Sequence, residues 1–167
     1  TTKRAKTNET RIEANVYYGW AKQTRTLNFL NTSQYLQMRH EAFNNDGVIP
    51  DVSNAPDLLL WDTTRNTNWK KVLMGETANN FNANLRYNGG NDVTAFTLGA
   101  NYNTETTIFP GDFGNREASV SLSVSHRPKK SKLTSDFAAS YTTQHSKLPS
   151  QNMGQYLNLP PNAMDLY

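Results

Sequence analysis

The chain has 167 residues, a formal net charge of +3 and a mean hydropathy of −0.74. Eight Tyr, seven Phe and three Trp at so small a net charge exclude a disordered tail. The lack of Cys excludes a disulfide scaffold, a thiol nucleophile and a thiolate metal site.

Residues 1–10 are polar and basic, and with Thr1 first the chain is expected to begin inside a longer one. From Arg11 to Trp20 the residues alternate. Ile12, Ala14, Val16, Tyr18 and Trp20 share one face, and Arg11, Glu13, Asn15, Tyr17 and Gly19 the other. A helix is predicted from Thr32 to about Phe43. Asn31 is its N-cap and Gln34 the capping-box partner. Leu30 and Tyr35 form a staple, and Tyr35, Met38 and Ala42 an apolar stripe. Asn44 to Gly47 is expected to stop it. Residues 48–77, with Pro50 and Pro56, read as irregular. The whole connection 21–79 is too long for a simple link and reads as a functional loop.

Four further strands are expected at about 80–88, 93–103, 116–126 and 133–144, all alternating. Phe81, Leu85, Leu98, Leu122 and Phe137 fall on the apolar face. Asn82, Asn84, Arg86, Asn101, Asn103 and Asp136 fall on the polar one. Gly89, Gly90, Asn91 and Asp92 form a tight reversal. Arg127 to Lys132 is a basic turn, more simply a solvated reversal than a nucleic-acid site.

Alternation alone fits either a sandwich or a barrel wall. Three features favour the wall. The strands run close to the ~9–11 residues of a tilted membrane strand. Their second face is polar throughout, and aromatics cluster near the strand ends. The links run long, short, medium, short, as in an outer-membrane barrel with outer loops and inner turns. The expected fold is therefore mainly all-β: a fragment of a transmembrane β-barrel, five antiparallel strands long, with one short helix in an extracellular loop. Five strands cannot close such a barrel, so further strands are expected from chain outside this one.

Several short motifs then resemble one family. Thr1-Thr2-Lys3 stands where the plug ends in TonB-dependent outer-membrane transporters of the Bacteroidetes glycan- and peptide-importing kind, although Arg4 to Thr10 lacks the family's Gly. Tyr17-Tyr18-Gly19-Trp20 is similar to its first barrel strand, and Phe29-Leu30-Asn31 with Tyr35 to the segment that follows. Thr67-Asn68-Trp69 resembles its TDW motif, with Asn68 in place of Asp. Gly89-Gly90-Asn91 resembles a hairpin turn, with Asn88 in place of Ser. LPPNAMDLY resembles a Pro-rich segment after an early strand. The resemblance runs through the whole chain in register. It implies residues 1–10 as the plug end and 11–167 as early barrel. It implies active import of oligosaccharide or peptide across the outer membrane of a Gram-negative bacterium. The implied partners are the rest of the barrel and plug, a surface lipoprotein lid, TonB through a region not in this chain, and the cargo.

On this topology Trp61 and Trp69 are loop aromatics that could meet cargo or a partner, or else anchor the loop to itself. Asn82, Asn84, Arg86, Asn101, Asn103 and Asp136 would line a lumen. His40, His126 and His145 are too dispersed for a metal site, and Asp51, Asn54 and Asp57 lack calcium-loop spacing. No catalytic constellation stands out, so the expectation is a non-enzyme without cofactor or nucleic-acid partner. The alternative is a secreted β-sandwich module that binds carbohydrate or protein.

Overall fold

The computed structural model describes residues 10–25, 27–130 and 132–164. The expected plug end at 1–10 lies outside them, apart from Thr10.

The elements in chain order are β1 (Arg11–Ala21), α1 (Thr32–Asp46), α2 (Pro56–Leu59), α3 (Trp69–Met74), β2 (Ala78–Gly90), β3 (Thr94–Thr106), β4 (Gly114–His126), β5 (Ser135–Lys147) and a 3-10 turn, Met153–Asn158. They form two compact units. One holds the five strands. The other comprises Lys22–Glu76, Ile108–Pro110 and the described part of the segment after Leu148.

In the first unit the strands form an antiparallel sheet in sequence order, β1-β2-β3-β4-β5. Each pairs with its neighbour in chain order, across a short link from β2 onward and across the long connection between β1 and β2. The register brings like faces together. Ile12, Tyr87, Leu98, Leu122 and Ala139 lie in one row, and Ala14, Leu85, Ala100, Val120 and Tyr141 in the next. On the opposite face Asn15, Asn84, Asn101, Ser119 and Thr142 form a row. A slip of one residue would exchange the two faces wholesale, so the alternation itself holds the register.

The β2–β3 hairpin depends on two glycines. Gly90 has a φ of 149°, and a Cβ there would meet the Thr94 carbonyl oxygen at 2.3 Å. A Cβ at Gly89 would strike the Phe96 ring at 2.8 Å. Phe96 meets Tyr87 edge-on, ring centroids 5.4 Å apart. Asn91 closes the turn, its Oδ1 accepting from the Val93 and Thr94 N–H groups at 2.9 and 2.8 Å.

The expected piece of transmembrane barrel is corrected here. The sheet is open: among the described residues β1 pairs with β2 and β5 with β4, and β1 and β5 are its edges. Nor is it a sandwich, because no second sheet is found among the described residues. The fold is an open antiparallel meander with a helical unit inserted between β1 and β2 in sequence. No helix among the described residues is long and apolar enough to cross a membrane, a statement that concerns helices alone.

The second unit replaces the expected extracellular loop. The long connection is not irregular, since α2 and α3 lie within 48–77 and α3 supplies Trp69 and Leu73 to a small core. Trp69, Leu73 and Ala163 are buried at its centre, with Trp61, Met74, Tyr156 and Leu157 among those packed around them. The indole Nε1 of Trp69 donates to the Pro160 carbonyl at 2.8 Å, and Thr67 N donates to Pro161 O at 2.7 Å. These bonds strap the Pro-rich segment to α3.

Helix α1 begins as its sequence requires. Asn31 Oδ1 accepts from Gln34 N at 2.9 Å, and Gln34 Oε1 accepts from Asn31 N at 3.1 Å. The helix extends through Asp46 and is ended by Gly47 in the left-handed conformation, φ 65°. Replacing Asn31 by Ala should cost ~0.5–2 kcal/mol of local stability. Faster amide exchange in the first turn of α1 checks this, and unchanged exchange there rejects the cap. The expected stripe is displaced, because Met38 and Ala42 are exposed. The inward face carries Thr32, Tyr35, Leu36, Arg39 and Phe43. Its spacing still follows the helical period. A charged residue sits within it because a carboxylate from α2 meets it.

Candidate functional site

That carboxylate is Asp57, buried with 5% of its surface exposed. Arg39 grips it with two bonds, Nε to Oδ2 at 2.7 Å and Nη2 to Oδ1 at 3.1 Å. The Tyr35 hydroxyl donates to Oδ2 at 2.8 Å. Asn162, itself buried, donates to the Asp57 carbonyl at 2.8 Å. The Arg39 guanidinium also lies 5.0 Å from the centre of the Phe43 ring. Burial pushes Asp57 upward, but the bonds from Arg39 and Tyr35 outweigh it and hold the carboxyl below its usual range. Burial, and then the bond to Asp57, push the Tyr35 phenol up to about 12. The cluster joins α1 to α2.

The long-loop tryptophans divide. Trp69 is a core residue with 5% of its surface exposed. Its ring lies in the core with Leu73 and Ala163. Trp61 is half-buried against the same core. Asp51 accepts from Ser53 N, Ser53 Oγ and Asn54 N in a tight turn. Bonds from Ser53 and Asn54 hold its carboxyl below the usual range. Asp57 is taken by Arg39. Among the described residues no group of three or more His, Asp or Glu is arranged to hold a metal.

The expected lumen residues share the polar face of the sheet, but an open sheet encloses no lumen. Asn82 donates to Asn101 and Asn103 at 3.4 and 3.5 Å, and Asn84 donates to Asn82. Asn84, Asn101 and Arg86 flank a shallow groove over Gly99, where a Cβ would meet Ser121 Oγ at 2.7 Å. Asp136 stands apart at the start of β5, ion-paired to Arg127 at 2.9 Å.

The open edges are the most distinctive feature. All thirteen residues of β5 are exposed, and so are all of β1 except Gly19, which is half-buried. The apolar face is also uncovered at these edges. Ile12 and Val16 are each 68% exposed and Tyr141 68%, against 44% for Leu98 and 36% for Leu122 on inner strands. Along an edge strand alternate N–H and C=O groups point outward with no strand to receive them.

Fold and edges together define an open antiparallel sheet module with a helical insertion. No family model and no curated protein matches the chain. The chain is similar to one in the structure of the RagAB peptide importer in the "closed-closed" state, with a TM-score of 0.71 and 16% identity. The match covers 96% of this chain and 21% of that chain. At that identity the likeness shows the fold alone.

These findings correct the functional expectations drawn from the motifs. The plug-and-barrel resemblance, the import function and the outer-membrane location all called for a spanning barrel. The five strands form an open sheet instead. The likeness, being one of fold, carries none of the particular partners expected above.

Sequence reasoning missed the Tyr35–Arg39–Asp57 cluster, although part of its signal was legible. Pro56 followed by Asp57 is a helix start, with Pro in the first turn and an acid beside it. Tyr35 and Arg39 are four apart and so share a helix face. Asn68 before Trp69 is an N-cap that marks α3, with Oδ1 accepting from Lys71 N at 3.1 Å.

Proposed function

We propose that this chain is a polypeptide-binding module whose open sheet edges take up an extended strand. The observation that carries this reading is the exposure of both edge strands over their full length. An uncapped edge recognises polypeptide through main-chain hydrogen bonds, and alternate side chains on the added strand give specificity. Saccharide has no repeating N–H donors to match it. The exposed Ile12, Val16, Phe137 and Tyr141 beside the edges ask for a strand whose alternate residues are apolar, continuing the face. The similar chain belongs to a peptide importer, which is consistent with polypeptide as the partner class. The partner strand is either a separate peptide or a segment of a larger sheet assembly. The pairing chemistry is the same for both, and the module acts by binding, without a chemical step.

Synthetic peptides of β1 or β5 length, alternating apolar and polar residues, test the reading. The full chain should bind them. N-methylation of alternate amides on one side of the peptide should abolish binding, and methylation on the other side should spare it. Equal binding of both methylated forms would mean the edge is not used.

A further inference from the structure

The helical unit holds a cleft of about 510 Å³ between the N-terminus of α1, the Asn66–Lys70 segment and the Pro-rich strap at 157–161. Its polar lining is dominated by asparagine amides whose orientation is fixed. A backbone N–H can only donate, so an amide that receives one must turn its oxygen to it. Asn31 Oδ1 receives Gln34 N at 2.9 Å, and Asn68 Oδ1 receives Lys71 N at 3.1 Å. Asn66 Oδ1 receives both Thr32 N and Thr32 Oγ1 at 3.1 Å. In all three the oxygen is committed to protein and the NH₂ group is left as donor. Beside them Phe29, Leu30 and Met38 are about half exposed, at 45%, 46% and 46%.

The geometry points to a second polypeptide site in this cleft, one that takes a short uncharged peptide segment by its main-chain carbonyls, with an apolar side chain seated on Phe29, Leu30 and Met38. Fixed donors select a ligand rich in acceptor oxygens, and successive peptide carbonyls supply them. Of the three rings in the lining, Trp69 is only 5% exposed and the Tyr35 hydroxyl is bound to Asp57. Phe29 is half exposed but has no polar tip to meet a sugar hydroxyl. With Leu30 and Met38 beside it, it favours an apolar side chain over a sugar face. This site lies on residues separate from the sheet edges, and it stands or falls apart from them.

Replacement of Asn by Asp gives a selective test. Asp keeps the acceptor and is an equally good N-cap, so the fold is retained, while the NH₂ donor is lost. The probe is an N-acetylated, C-amidated Ala-Leu-Ala-Ala peptide, too short to pair along a whole edge, with maltotetraose as the comparison. The double variant Asn66→Asp, Asn68→Asp in the full chain should melt like the parent and bind the peptide about tenfold or more weakly. Phe29→Ala should weaken it as well. Amide shifts on peptide addition should fall on residues 28–38 and 66–70. Absence of peptide binding, preference for maltotetraose, or equal binding by the double variant with its fold intact would each overturn the proposal.

Discussion

Replacing Trp69 by Ala should destabilise the helical unit by about 3–5 kcal/mol, the range for removing a buried large aromatic side chain. The indole stands at the centre of the small core, against Leu73, which is 1% exposed, and Ala163. Its Nε1–H is satisfied by Pro160 O, so truncation leaves a cavity and also strands a carbonyl. The neighbours cannot close the gap easily, because α3 and the 3-10 turn both lean on the same ring. Trp69→Phe keeps most of the ring volume and loses the bond, and should cost clearly less. Chemical denaturation followed by the amide signals of α1 and α3 measures both. If Trp69→Ala folds with parental stability but loses binding, Trp69 is a recognition residue and the core assignment fails.

Asp57→Asn should cost the same unit about 2–4 kcal/mol. Breaking one side of a buried ion pair leaves the other charge uncompensated, at ~3–5 kcal/mol when both are fully buried. Arg39 keeps 28% of its side-chain surface, so part of its charge is rehydrated and the loss is reduced. The pH dependence follows from the same contacts. The Asp57 carboxyl is depressed below its ordinary value of 3.8 in the fold, so its stabilisation is complete above that value. It is lost as pH falls through the folded pKa. Tyr35 is raised from 10.0 to about 12, so its contribution is complete below pH 10.0 and is lost as pH rises toward about 12. Stability of the helical unit should therefore decline at both extremes, and Asp57→Asn should remove the acid limb attributable to this carboxyl. A parental acid limb in the variant would show that the carboxyl is not the linked group.

The strands were legible because alternation is a local property. Ile12 to Trp20 and Ala118 to Val124 show a period of two without reference to any neighbour. The α1 cap was legible for the same reason, since Asn31 and Gln34 are three residues apart. What could not be read was set by long-range partners. Arg39 lies on the inward face of α1 because Asp57, eighteen residues on, neutralises it. Trp69 is buried because Pro160, ninety-one residues away, receives its indole. An aromatic in a polar, Pro-bearing stretch carries no local mark that tells a core ring from a binding ring. The barrel was misjudged for a related reason. Strand length, polar alternation and link parity describe a wall and leave open what stands at its edges.

Those edges bear the central claim, and residue-resolved amide hydrogen exchange tests it most directly. In the free chain the outward-pointing amides of β1 and β5 should exchange fast, while β2, β3 and β4 are protected by pairing on both sides. On adding an alternating peptide, alternate amides of one edge strand should slow by an order of magnitude or more, leaving the central strands unchanged. Peptide binding that leaves the amides of both β1 and β5 exchanging as in the free chain would contradict the account.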